Sequence, residues 1–131
     1  RDPDNRFVAG FIGSPSMNFF EGTVEKGGVR VPGLGGQIVD APVDLPAAGT
    51  AVTVGLRPNH LTVDRGATTL EVDLSEALGG VSYVYLFAGN GYRIVVEAHD
   101  DDPVPHGARV GLTFDPEDVY LFDVSTEKRI R

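Results

Sequence analysis

VGLRPNHL, residues 54–61, decides how this chain is organised. Val52, Val54 and Leu56 alternate into it as a strand does, and Pro58, which has no N–H to give a ladder, ends that strand. A bend is therefore expected at Arg57-Pro58. Residues 19–45 before it and 70–122 after it are both short strand-like runs cut by glycine, so the bend is read as the joint between two halves of one β-structure.

Upstream of the bend, Phe20, Gly22 and Val24 alternate with Glu21, Thr23 and Glu25, and Lys26-Gly27-Gly28 turns the chain into a hairpin partner over 29–31. Residues 33–46 are rich in glycine and proline, leaving 37–40 as a short strand. At the start of the chain, Asp2-Pro3 reads as a helix N-terminus, Phe7, Val8, Phe11 and Ile12 share one helical face, and Gly13-Ser14-Pro15 is the stop. A helix of about ten residues is marginal alone in water. Its apolar stripe needs a partner, and a preceding domain is expected to supply it. The opening RDPDNRF lacks the order of a signal peptide, so the chain is expected to be a piece of a longer protein. Residues 1–15 are read as the end of that domain with its linker helix, and 16–131 as a β-domain.

Downstream, residues 61–63 make a brief strand. Leu70, Val72 and Leu74 alternate with Glu71, Asp73 and Ser75, the pattern of a strand with one wet face. Gly79-Gly80 breaks or bends it. Residues 81–87 are apolar on both faces and so central, and Gly89-Asn90-Gly91 turns them into a hairpin partner over 92–98. Val110, Leu112 and Phe114 form another strand, Asp115-Pro116-Glu117 turns into 119–122, and 127–131 is left as a charged tail. Many short strands with Gly/Pro turns make an all-β barrel or sandwich.

With 131 residues, 41% of them hydrophobic, the chain suits one domain with its own modest core. Nineteen acidic against eleven basic residues give a formal charge of −8, which opposes nucleic acid and anionic lipid and favours protein or small-molecule partners. The absence of cysteine excludes disulfides and thiolate metal sites.

His99, Asp100, Asp101, Asp102 and His106 offer imidazole and carboxylate ligands, but without the alternating acids, central glycine and terminal glutamate of a calcium loop they read as a solvated connection. Tyr83, Tyr85 and Phe87 share a strand face, with Tyr92 across the turn. An OB barrel stacks bases on such a platform, yet the charge favours a core or protein-contact role. The glycine clusters lack the Lys-Ser/Thr end of a phosphate loop, and neither Ser75 nor Ser82 stands in a G-x-S-x-G elbow that His60, His99 or His106 would serve. No catalytic residue and no metal site are expected. Phe19 and Phe20 are consecutive on a strand and point to opposite faces, so one of the two rings needs a second partner surface.

FVAGFIGSPSMNFF (7–20), VGLRPNHL (54–61), LSEALGGVSYVYL (74–86) and FDPEDVYLFD (114–123) together resemble the C-terminal regulatory region of ATP-binding subunits in sugar-type ABC importers, the maltose and glycerol-3-phosphate ATPases among them. The resemblance runs through nearly the whole chain in order. It implies a β-rich domain of OB-like barrel units, of the TOBE type, related to oxyanion-binding modules of molybdate importers. It also implies that such domains pair across two ATPase subunits. ATP and Mg would belong to the nucleotide-binding domain, so this chain is expected to hold no cofactor and to hydrolyse nothing. The parent is expected to be an ATPase on the cytoplasmic face of the membrane, bound to the membrane-spanning importer subunits, with no nucleic-acid partner.

The function expected is regulation and dimerisation, with Met17, Asn18 and Phe20 at an interface. The alternative is a small-ligand sensor that inhibits transport, with Arg57 and Arg93, and further Arg65 and Arg109, as candidate anion contacts. In maltose-type members the resemblance implies a docking surface for the glucose-specific phosphotransferase IIA regulator at positions matching Phe19, Gly55 and Asn59. Asn59 stands where the family pattern VGIRPE has a glutamate, so the regulator is not expected to bind here.

Overall fold

The structure is a computed structural model that describes residues 17–88, 92–99 and 103–131. The helix expected near the start, the Gly89-Asn90-Gly91 turn and the 100–102 acidic run lie outside the described residues. Four strands precede the bend: β1 (Asn18–Glu25), β2 (Gly28–Val31), β3 (Gln37–Val39) and β4 (Ala51–Leu56). After it come β5 (Thr62–Asp64), β6 (Leu70–Ala77), β7 (Ser82–Phe87), β8 (Arg93–Ala98), β9 (Arg109–Thr113), β10 (Tyr120–Asp123) and β11 (Arg129–Ile130). The chain is nearly all-β with an OB-like fold, as expected.

Two antiparallel sheets form, ordered β11-β10-β4-β1-β2-β3 and β5-β9-β6-β7-β8. Pro58 opens the 3₁₀ turn Pro58–His60, which carries the chain from β4 of the first sheet to β5 of the second. The bend at Arg57-Pro58 therefore joins the two halves. Leu61 is buried at its exit, so β5 starts one residue later than the sequence suggests. One core fills the space between the sheets. Phe20, Val24, Val52, Val54 and Leu56 come from the first sheet, Val72, Val84, Leu86, Ile94 and Val96 from the second.

Three expectations need correction. Leu74 does not continue the inward alternation of Leu70 and Val72, because the pairing of β6 with β7 slips between Val72 and Leu74. Asp73 is the extra residue of a β-bulge, and a slip of one turns the residues after it to the other face. Leu74 therefore stands opposite Tyr85 on the outer side, 39% exposed. The His106 imidazole donates from Nδ1 to the Asp73 carbonyl, which gives that bulge carbonyl a partner.

β7 is central in hydrogen bonding, between β6 and β8, but only Ser82, Val84 and Leu86 face the core. Tyr83, Tyr85 and Phe87 face outward. Gly79 and Gly80, at φ 72° and 90°, make the two-residue loop from β6 to β7, closed by Leu78 N–H to Val81 C=O at 2.7 Å. Positive φ at both central residues is the type I′ geometry that matches strand twist and that glycine adopts without strain.

The charged tail is also a strand. Arg129 and Ile130 pair with Phe122 and Leu121, and Asp123 makes the turn by accepting from the Ser125 and Thr126 amides at 2.8 and 2.9 Å. β10 itself leaves the second half of the chain and pairs with β4 of the first sheet.

Candidate functional site

The residues singled out in the sequence fall on three surfaces. On the outer face of the first sheet, pairing sets Phe19 opposite Gly55 and Gly55 opposite Tyr120, while Thr53 stands opposite Phe122. Side chains of directly opposed residues share a face, and Met17, Tyr120 and Phe122 form a second apolar cluster with Phe19 against it. The Phe19 and Phe122 rings meet edge to face, with centroids 6.1 Å apart. Phe20 points the other way, into the main core. The consecutive rings thus take opposite faces, each with its own partners.

Gly55 is what lets this cluster close. A Cβ there would lie 2.5 Å from the Met17 sulfur and 3.0 Å from a Phe122 ring carbon, closer than carbon and sulfur pack. Two guanidinium groups lie over the Tyr120 ring, Arg57 at 5.5 Å and Arg129 at 4.5 Å from its centroid. Burial, with the Arg131 charge adding to it, pulls Arg129 below its ordinary pKa. Arg57 is thus positioned over an aromatic ring, a contact without local signal in the sequence because Tyr120 is 63 residues away.

Asn18 lies at the junction of the sheets and is buried. Its Nδ2 donates to the carbonyls of Leu56 at 3.2 Å and Val95 at 2.9 Å, and its Oδ1 accepts from the Val95 amide at 2.8 Å. It holds β8, an edge of the second sheet, to the start of β1.

Asn59 is exposed. It lines a cleft of about 250 Å³ with Leu61, Val63, Val84, Val96 and Val104 as an aliphatic floor and Thr62, Arg65, Glu97 and His99 on the rim. On the outer face of the second sheet, Arg93 pairs with Asp73 at 3.2 Å and lies over the Tyr85 ring at 5.7 Å. The Tyr85 hydroxyl donates to Glu76 at 3.0 Å, and this bond raises the phenol pKa. Arg109 donates to the Thr68 and Thr69 carbonyls. Among the described residues, no group of three His, Asp or Glu is placed to hold a metal ion.

Residues 13–61 match the family described as MalK OB fold domain, and residues 54–122, more than half of the chain, match the TOBE domain. The chain belongs to the TOBE domain family. The two matches overlap over residues 54–61, the stretch that bends from one sheet to the other. The chain is similar over 99% of its length to the lactose transport ATP-binding protein LacK of Rhizobium radiobacter, at 42% identity. It is 39% identical over 98% of its length to the sn-glycerol-3-phosphate import ATP-binding protein UgpC of Chromobacterium violaceum. It spans only 39% and 35% of the lengths of these two relatives. Among solved structures it resembles the molybdate-binding protein ModG, with a TM-score of 0.60 and 19% identity, covering 79% of this chain and 94% of that one. At that identity the likeness is one of fold. No helix among the described residues of the chain is long and apolar enough to cross a membrane.

Proposed function

We propose that this TOBE domain is the regulatory C-terminal part of the ATP-binding subunit of a carbohydrate-type ABC importer, non-catalytic itself, and that it pairs with a second copy. The observation that carries this reading is the match of nearly the whole chain to little more than a third of importer ATP-binding proteins. Nucleotide chemistry then belongs to the rest of the subunit, and the chain carries no Gly-rich lysine loop of its own. The site of action is the cytoplasmic face of the membrane, beside the nucleotide-binding domain and the membrane-spanning subunits.

Exposed apolar side chains support a contact between copies. Of the six large exposed apolar side chains among the described residues, four, Leu74, Leu78, Phe87 and Tyr92, come from the β6–β8 stretch, while Ile38 and Val124 lie elsewhere. Concentration of large apolar groups on one part of a surface marks protein contact. Sedimentation velocity across a range of concentrations tests the pairing. A concentration-dependent dimer that Phe87→Glu weakens is expected, and a strict monomer at the highest concentration overturns it.

A further inference from the structure

The cleft beside the bend has a chemistry that the pairing role does not use. β5 and β8 are the two edges of the second sheet, and the cleft opens between them where no ladder joins strand to strand. Val63 and Thr62 line it from β5, Glu97 and Ala98 from β8, His99 from the residue after β8, and Asn59 from the 3₁₀ turn. A ligand seated there touches three elements at once, including the turn that joins the sheets.

The lining selects among ligand classes. Leu61, Val84, Val96 and Val104 are buried and aliphatic, so the floor presents C–H groups and no ring for stacking. The rim mixes donors and acceptors: the Asn59 amide, the Thr62 hydroxyl, the Arg65 guanidinium, the Glu97 carboxylate and the His99 imidazole, whose Nε2 lies 2.9 Å from Glu97. A purely apolar occupant would desolvate those groups without hydrogen bonds. An anion would meet the Glu97 carboxylate as well as the Arg65 guanidinium, so the rim offers it no net positive charge, in a chain whose formal charge is already −8. A hydroxyl both donates and accepts, so several on an aliphatic ring or chain fit a mixed rim above a C–H floor. At about 250 Å³ the cleft is smaller than a drug-sized site, typically about 300–1,000 Å³, which limits the ligand to a small molecule.

We infer that this cleft binds a small neutral polyhydroxylated molecule of monosaccharide size or less. Glu97 and Asn59 take its hydroxyls, and Ala98 lines the space that it fills. The inference stands on the cleft and is independent of whether two copies pair.

The test is NMR titration of the 131-residue chain with D-glucose, D-galactose and glycerol as neutral probes, D-glucose 6-phosphate as an anionic one, and cyclohexanol as an apolar ring. At least one neutral probe is expected to give saturable shifts at Thr62, Val63, Glu97 and Ala98, and to bind more tightly than the phosphate and cyclohexanol. Glu97→Gln removes a charged acceptor and is expected to weaken that probe by about tenfold. Ala98→Leu is expected to abolish binding by filling the cleft. Thermal melts establish that each variant is folded, and Glu97→Gln, which keeps the side-chain size, carries the test if Ala98→Leu does not fold. No saturable shift with any neutral probe, tighter binding of the phosphate or of cyclohexanol, or undiminished binding to folded Glu97→Gln overturns the inference.

Discussion

Asn18 grips Val95 by both of its backbone polar groups, donating to the carbonyl at 2.9 Å and accepting from the amide at 2.8 Å. A side-chain amide here does what a neighbouring strand does elsewhere, and it does so across the two sheets. Asn18→Ala leaves the Val95 amide and carbonyl to find other partners. A buried group left unsatisfied costs about 1–3 kcal/mol, and chemical denaturation is expected to show a loss of that size. Amide exchange at Val95 should accelerate more than at Val84, which lies on the β7 side of the same sheet. Equal acceleration at both would show that Asn18 acts on global stability alone.

Gly55→Ala tests the close approach of the outer cluster. The added methyl meets the Met17 sulfur and the Phe122 ring, and overpacking of this kind costs about 1–3 kcal/mol. Met17→Ala removes the nearer obstacle. The double variant is therefore expected to lose less than the sum of the two single losses, and simple additivity in a double-mutant cycle would refute the contact.

Phe20→Ala and Phe19→Ala are expected to separate widely. Phe20 is 5% exposed in the main core, where truncation of a phenylalanine costs about 3–5 kcal/mol. Phe19 is half-buried, and its edge-to-face contact with Phe122 adds about 0.5–1.5 kcal/mol to a smaller burial term. Urea midpoints of the two variants check the order, which reversal would contradict.

Asp123 makes the last hairpin sensitive to acid. The Thr126 amide, then the Ser125 amide, bond its carboxylate and hold its pKa below the ordinary value. A carboxylate depressed in the folded state stabilises above its unfolded pKa of about 3.9, and that contribution is lost as pH falls through the lower folded value. Backbone NMR signals of Thr126 and Arg129 are expected to shift together below that range. Asp123→Ala should abolish the shared step, and its persistence would place the titration elsewhere.

Calorimetry of the chain with Mg-ATP is expected to give no saturable heat, since no Gly-rich lysine loop is present to cradle phosphates. Micromolar binding would contradict the assignment of nucleotide chemistry to the rest of the subunit.

Legibility in the sequence depends on range. Period-two runs, paired glycines and Pro58 act within a few residues, so most strands and the central bend are readable from residues 17–123. Leu74 misleads because a bulge carries no mark in the alternation, and the slip shows only against β7. β11 escapes the reading although Asp123 with Ser125 and Thr126 after it is a local turn signal. The opposite facing of Phe19 and Phe20 is derivable from the pleat. The contact of Tyr120 with Arg57 and Arg129 is not, because it depends on β10 crossing back to β4.

That crossing has a consequence for synthesis. On the ribosome β1 to β4 emerge first and can form a Greek key, ordered β4-β1-β2-β3, but β4 then presents an unpaired edge until β10 has been made. An open strand edge in a nascent chain invites pairing with another chain. Release of a chain truncated between β4 and β10 is therefore expected to yield aggregate rather than a smaller folded unit, although the match to the MalK OB fold ends at residue 61.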